Sequence, residues 1–159
     1  MKTMKRMTAL LLVLVTVFSL TACGSKKTLT MRREWIDEQS GIPMTDTWTI
    51  AAKGKKVQTI TEVLELDLSE YESMVGRLAE LYGSTVVGPA KGIDGVTCTD
   101  RIDGTTYIIK LTVDCTDDAA AAAVEAGPIL QIEGVAESVS LKFEKTQSSL
   151  EEYGYEVAE

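Results

Sequence analysis

No histidine occurs anywhere in the 159 residues. That excludes Ser-His-Asp triads, Cys-His pairs and His-ligated zinc sites together, because each needs an imidazole as base or ligand. Basic charge is also in short supply, with 16 Lys and Arg against 24 Asp and Glu. Nucleic-acid binding rests on basic surface, so no nucleic-acid partner is expected. A long apolar run is missing as well. The one apolar stretch, residues 9–20 (ALLLVLVTVFSL), would span about 18 Å as a helix. A bilayer core of about 30 Å needs roughly 20 residues. The stretch is therefore too short for a comfortable membrane span and fits the apolar core of an export signal.

What is present begins with that signal. Residues 1–8 carry Lys2, Lys5 and Arg6 and no acid, and the apolar run ends in Leu20-Thr21-Ala22-Cys23. A leucine, two small residues and a cysteine resemble the lipobox of bacterial lipoproteins. The resemblance implies that residues 1–22 are removed and that Cys23 becomes the new N-terminus. It also implies a thioether-linked diacylglyceryl group there, with further acylation by a fatty acid such as palmitate. Each buried methylene contributes about 0.8 kcal/mol, and two acyl chains make anchoring stable. The expected organisation is a signal peptide (1–22), a lipidated tether (23–27) and a single domain (28–159). A tether of five residues reaches at most about 18 Å, which places the domain close to the extracytoplasmic face of the cell membrane.

Loss of the leader leaves 137 residues with 13 basic and 24 acidic side chains, a net of −11. That length suffices for one domain that buries about two-thirds of its unfolded surface. The acidic balance serves solubility and does not favour adsorption to anionic headgroups, so the lipid is expected to supply the attachment.

The mature chain opens with three strand-like runs. Residues 28–36 alternate Leu29, Met31 and Trp35 against Thr30, Arg32 and Glu34; residues 44–52 place Met44, Trp48, Ile50 and Ala52 on one side. Lys53-Gly54-Lys55-Lys56 is a tight connection into residues 57–66, and the three runs read as an antiparallel meander. The third run changes phase, since Val57 and Val63 fall opposite Ile60, Leu64 and Leu66. It is either buried on both faces or carries a bulge.

Ser69 and Glu72 have capping-box spacing. Tyr71, Met74, Val75, Leu78 and Tyr82 then recur at helical intervals, and Gly83 supplies a stop before a loop over 84–92. Asp103-Gly104 marks the turn of a second hairpin. Pairing Ile102 with Thr105 places Val96, Cys98, Ile102, Tyr107, Ile109, Leu111, Val113 and Cys115 on one face. Cys98 then lies opposite Ile109, about 20 Å along the strand from Cys115. That is too far for a disulfide, so two buried thiols are expected.

Thr116-Asp117-Asp118 caps an alanine-rich helix over 119–126, ended by Gly127-Pro128. Asp114, Asp117 and Asp118 lack the spacing of a calcium loop and suit a helix N-terminus, so no metal is expected. Residues 137–144 alternate as a strand, and Thr146 or Ser148 is placed to cap a last short helix through Tyr153. The fold class is α+β: an antiparallel sheet of about six strands with two to three helices, in the order β-β-β-α-β-β-α-β-α.

The chain resembles the YehR-like family, small bacterial lipoproteins with a domain of unknown function. The resemblance rests on the lipobox at Cys23, the Lys53-Gly54 hairpin before a capped helix, and Gly92-Ile93-Asp94-Gly95-Val96-Thr97 opening the second hairpin. Leu111-Thr112-Val113-Asp114, Ser140-Leu141-Lys142 and Glu151-Glu152-Tyr153-Gly154-Tyr155 complete it. It implies an α+β fold and no catalytic residue or cofactor.

The resulting expectation is a membrane-anchored, non-catalytic binding or envelope-maintenance module. A ligand site along the Trp35/Trp48 sheet is one placement, and burial of both indoles in the core is the other. The alternatives are an accessory subunit of an envelope complex or transporter, and a carboxylate-dependent enzyme acting on glycans.

Overall fold

Alternation of apolar side chains with threonines and charges builds the sheet. The structure, a computed structural model, describes residues 24–130 and 140–158. The expected meander is formed by β1 (Lys26–Ile36), β2 (Pro43–Lys53) and β3 (Lys56–Asp67), each antiparallel to the next. A second hairpin, β4 (Val96–Asp103) and β5 (Thr106–Asp114), docks through β5 onto β3. The result is a six-stranded sheet in the order β4-β5-β3-β2-β1-β6, where β6 is Glu156–Val157.

One sheet face carries the core: Met31 from β1, Met44, Trp48 and Ile50 from β2, Ile60, Leu64 and Leu66 from β3, and Tyr107, Ile109 and Leu111 from β5 are all buried. On the opposite face the register aligns one row of threonines across five strands, Thr30, Thr49, Thr61, Thr112 and Thr97. β-Branched side chains stacked in this way favour the extended backbone.

The phase change in the third strand is a bulge. Ala51 pairs with Thr59 and Ala52 with Val57, leaving Gln58 as the extra residue. The insertion lets Val57 and Ile60 both point into the core.

In the second hairpin Ile102 pairs with Tyr107 and not with Thr105, so the turn is Gly104-Thr105, with Gly104 at φ +61°. This correction shifts the register by two residues, and a shift of two keeps every side chain on its face. Cys98 now lies opposite Leu111, about 14 Å along β5 from Cys115, and both cysteines are free and buried.

The helix expected to stop at Gly83 continues. A 3-10 turn, Ser69–Met74, leads into α1 (Val75–Tyr82), a π-helical turn over Gly83–Val87, and α2 (Gly88–Ala90). Ser69 makes no side-chain cap; its own N–H donates to the Asp67 carboxylate at 2.9 Å. Gly83 has right-handed helical angles. Its missing side chain serves close packing, since a Cβ there would stand 3.3 Å from Asp100 Oδ2 and 3.4 Å from the Tyr107 hydroxyl. Continuation buries Val86, Val87 and Ala90. The hydroxyls of Ser84 and Thr85 both donate to the Leu81 carbonyl, which helps hold the wider turn.

α3 (Asp118–Ala126) starts as expected, with the Asp117 carboxylate accepting from the N–H groups of Ala119 and Ala120 at 2.9 and 3.1 Å. The strand expected over 137–144 falls partly on residues 131–139, which lie outside the described residues. Its described end is not a strand: Lys142 makes a single bridge to Lys56, and α4 (Phe143–Glu152) begins at Phe143. Phe143, Thr146 and Leu150 are all buried, and their spacing places them on one helical face, which overrides the shorter alternation. Thr146 is therefore interior, not a cap; its hydroxyl donates to the Ser140 carbonyl. The sixth strand is instead β6, with Val157 opposite Met31 and Glu156 opposite Arg32.

Candidate functional site

Two acids stand among the inward-facing residues. Asp46 lies between Met44 and Trp48 on β2, and Glu62 lies between Ile60 and Leu64 on β3; both are buried. Glu62 is directly opposite Trp48 and Asp46 opposite Leu64, so the two carboxyls are diagonal neighbours on the core face. The sequence placed both positions in the inward phase of their strands, and the acids were the signal that the apolar count passed over.

Asp46 is well supplied with donors. The Trp48 indole Nε1–H donates to its Oδ2 at 2.7 Å, and the Tyr155 hydroxyl donates to the same oxygen at 2.6 Å. Burial nevertheless pushes the Asp46 pKa up to about 6, against the lowering effect of the bonds from Tyr155, Trp48 and Glu62. Burial also pushes Glu62 well above the ordinary carboxylate range, and the neighbouring Asp46 charge and hydrogen bond add to it. Carboxylates only accept. With both ionised, Asp46 Oδ1 and Glu62 Oε1 have no donor among the described residues. Burial and mutual repulsion therefore make the two carboxyls titrate as a coupled pair that favours keeping a proton.

A cavity of about 20 Å³ lies against Glu62, walled by Trp48, Leu111, Val124, Pro128 and Leu130. Such a volume takes about one water. Chemically the arrangement is a buried acid with a neighbouring carboxylate, able to hold a proton.

Trp48, one of the two expected ligand residues, is thus a core side chain that wedges Asp46 in place. Trp35 is half-buried on the same sheet face, opposite Met44, while Trp48 is opposite Met31. Four positions of β1 separate them, about 13 Å, so the indoles do not form one platform. The Arg33 guanidinium stacks over Trp35 at 4.9 Å and reaches the Tyr155 ring at 5.9 Å. Asp114 accepts from Thr116 and Asp117 caps α3, which occupies two of the three acids considered for calcium. Among the described residues no group of three or more Cys, Asp or Glu is arranged to hold a metal ion. No helix among them is long and apolar enough to cross a membrane.

Sheet order and helix placement define an α+β protein with a six-stranded antiparallel sheet and helices on its core face. Among solved structures, the NMR structure of the Escherichia coli YehR protein shares this fold. It matches with a TM-score of 0.55 at 14% identity, covering 84% of this chain and 93% of that one. The NMR structure of a protein from Streptococcus pneumoniae TIGR4 matches with a TM-score of 0.48 at 15% identity, over 89% and 90% of the two chains. No protein-family model and no curated protein matches the chain.

Proposed function

We propose that the protein is a lipoprotein of the YehR-like kind. It is exported, cut before Cys23, and held on the extracytoplasmic face of the cell membrane by acyl chains, where it serves as a non-catalytic binding or envelope-maintenance module. The observation that carries this reading is the leader itself: three basic residues, an apolar run too short to span, and Leu20-Thr21-Ala22-Cys23. The position of β1 agrees with it. The sheet starts at Lys26, so only Gly24 and Ser25 stand between Cys23 and the folded domain, and the three steps from Cys23 to Lys26 reach at most about 11 Å.

The buried acid pair weighs against a glycan-acting enzyme. Asp46 is engaged by Trp48 and Tyr155, and the cavity beside Glu62 is about 20 Å³, far below the several hundred Å³ of a typical ligand pocket. A binding role is better served by the half-buried Trp35, whose ring reports on a ligand at the sheet's β1 side.

Substitution of Cys23→Ser tests the anchor. Wild-type protein is expected to incorporate labelled fatty acid and to partition with membranes, and the variant to do neither. Equal labelling of both would overturn the reading. Tryptophan emission titrated with envelope glycans and lipids tests the binding role: a saturable shift supports it, and emission indifferent to all of them counts against it.

A further inference from the structure

The charge balance of −11 hides an uneven distribution. Six of the 13 basic residues that follow the leader, Lys26, Lys27, Lys53, Lys55, Lys56 and Lys142, meet at one end of the sheet. Register brings them there. Lys26 pairs with Lys53, Lys53 with Lys56 across the hairpin that contains Lys55, and Lys56 bridges to Lys142. The Lys27 ammonium lies 3.6 Å over the Phe143 ring at the start of α4. Five of the six are exposed and Lys27 is half-buried. Among the described residues none of them lies within salt-bridge distance of a carboxylate. Acids share this end of the sheet: Glu144, next in α4, Asp114, opposite Thr59, and, on the β4–β5 side, Asp94, Asp117 and Asp118.

The described chain also begins at this end. The Ser25 carbonyl accepts from the Gly54 N–H at 3.0 Å, and the Lys53 side chain crosses Gly24, with its Cε 3.0 Å from where a Cβ would stand. At the far end of the strands, about 30 Å away, Asp37, Asp67 and Asp103 occupy or flank the strand ends. The β1–β3 strand ends are therefore lysine-rich at the end where the described chain begins, while the β4–β5 side of the same end carries acids.

We propose that the Lys26/Lys53/Lys56/Lys142 end of the sheet is a docking surface for anionic phospholipid headgroups, which orients the domain on the membrane with its β1–β3 strand ends toward the surface. The proposal rests on lipid attachment at Cys23 for its address. The short link from Cys23 to Lys26, at most about 11 Å, lets the extended lysine side chains come within a Debye length of the headgroups, about 8 Å at physiological ionic strength, where a fixed charge still feels the surface. Net negative charge does not prevent this, because screening removes the contribution of the distant acids. The lipid supplies attachment and the lysines supply orientation.

Amine acylation footprinting of the native full-chain protein tests this, on vesicles of phosphatidylcholine alone or mixed with phosphatidylglycerol. Flotation of the same samples reads anchoring independently of orientation. Flotation with both vesicle types is expected. On phosphatidylglycerol the reactivity of the six lysines should fall by about threefold or more, with high salt restoring it. Lys91 and Lys110, elsewhere on the domain, should be unchanged. The triple variant Lys53→Glu, Lys55→Glu, Lys56→Glu should float equally and lose the protection of Lys26 and Lys142. Equal reactivity on both vesicle types, or protection spread evenly to Lys91 and Lys110, would overturn the proposal while leaving anchoring intact. Failure to float on phosphatidylcholine would overturn the anchor instead. The low-salt footprint on phosphatidylglycerol then decides the lysine surface alone, protection supporting it and its absence refuting it.

Discussion

The hydroxyl of Tyr155 donates to Oδ2 of Asp46 across 2.6 Å, joining residues 109 positions apart in the chain. This bond ties the C-terminal segment to the second strand at a buried acid. It also accounts for β6, because Tyr155 fixes the approach of Glu156 and Val157 to β1. Tyr155→Phe should remove one hydrogen bond to a charged group and cost about 1–2 kcal/mol of stability. Urea unfolding at pH 7 measures it. The Asp46 pKa should rise further in the variant, since the lost bond favours the ionised form.

Stability should fall as pH rises through the range in which Asp46 and Glu62 ionise. Both pKa values are raised in the folded state, chiefly by burial, so the native protein binds more protons than the unfolded chain above the ordinary carboxylate pKa of about 4. By linkage the unfolding free energy then declines with pH, through about 6 for Asp46 and on upward for Glu62. Arg33, opposite Asp46 on β1, faces the same acids along with Trp48 and Tyr155. Exposed Asp67 and Asp114 act with the opposite sign. Hydrogen bonds from Ser69 and Thr116 lower their pKa values, so their contribution is present above about 4 and lost as the pH drops. An optimum between roughly pH 4 and 6 follows. Glu62→Gln should flatten the decline, as read from urea midpoints across pH.

Gly95 marks the closest approach of the second hairpin to α3. Its φ is +73°, and a Cβ would meet the Asp117 Cβ at 2.7 Å and the Ala120 Cβ at 2.9 Å. Gly95→Ala should therefore destabilise by about 2 kcal/mol or more, combining left-handed strain with a clash. Ala120→Gly relieves only the second contact and should recover part of the loss in the double variant.

Burial pushes the thiols of Cys98 and Cys115 up to about 11. Thiolate is the reactive form, so both should resist thiol reagents at pH 8 in the native protein. Unfolding without reductant should release both for labelling, and peptide mapping assigns them. A disulfide-linked pair of these peptides would contradict the structure.

Strand identity was legible because β1, β2 and the second hairpin alternate and only β3 breaks phase, at its bulge, and the Asp117 cap was legible from side-chain chemistry alone. Three features were not. Gly83 reads locally as a helix stop, but tertiary burial of Val86, Val87 and Ala90 outweighs that signal. Phe143, Thr146 and Leu150 become a helical face only once the core they enter exists. The Lys53-Gly54-Lys55-Lys56 turn was legible as a connection, whereas its union with Lys26 and Lys142 depends on register and on a bridge between distant residues. The acid pair was open to reading, since Asp46 shares the phase of Met44 and Trp48, and Glu62 that of Ile60 and Leu64. Its proton is not, because that depends on burial.

Attachment through Cys23 is tested most directly by mass spectrometry of the N-terminal peptide released from native membranes. The expected species starts at Cys23 and carries the mass of a thioether-linked diacylglyceryl group. A peptide that starts at Met1, or an unmodified Cys23, would contradict the account.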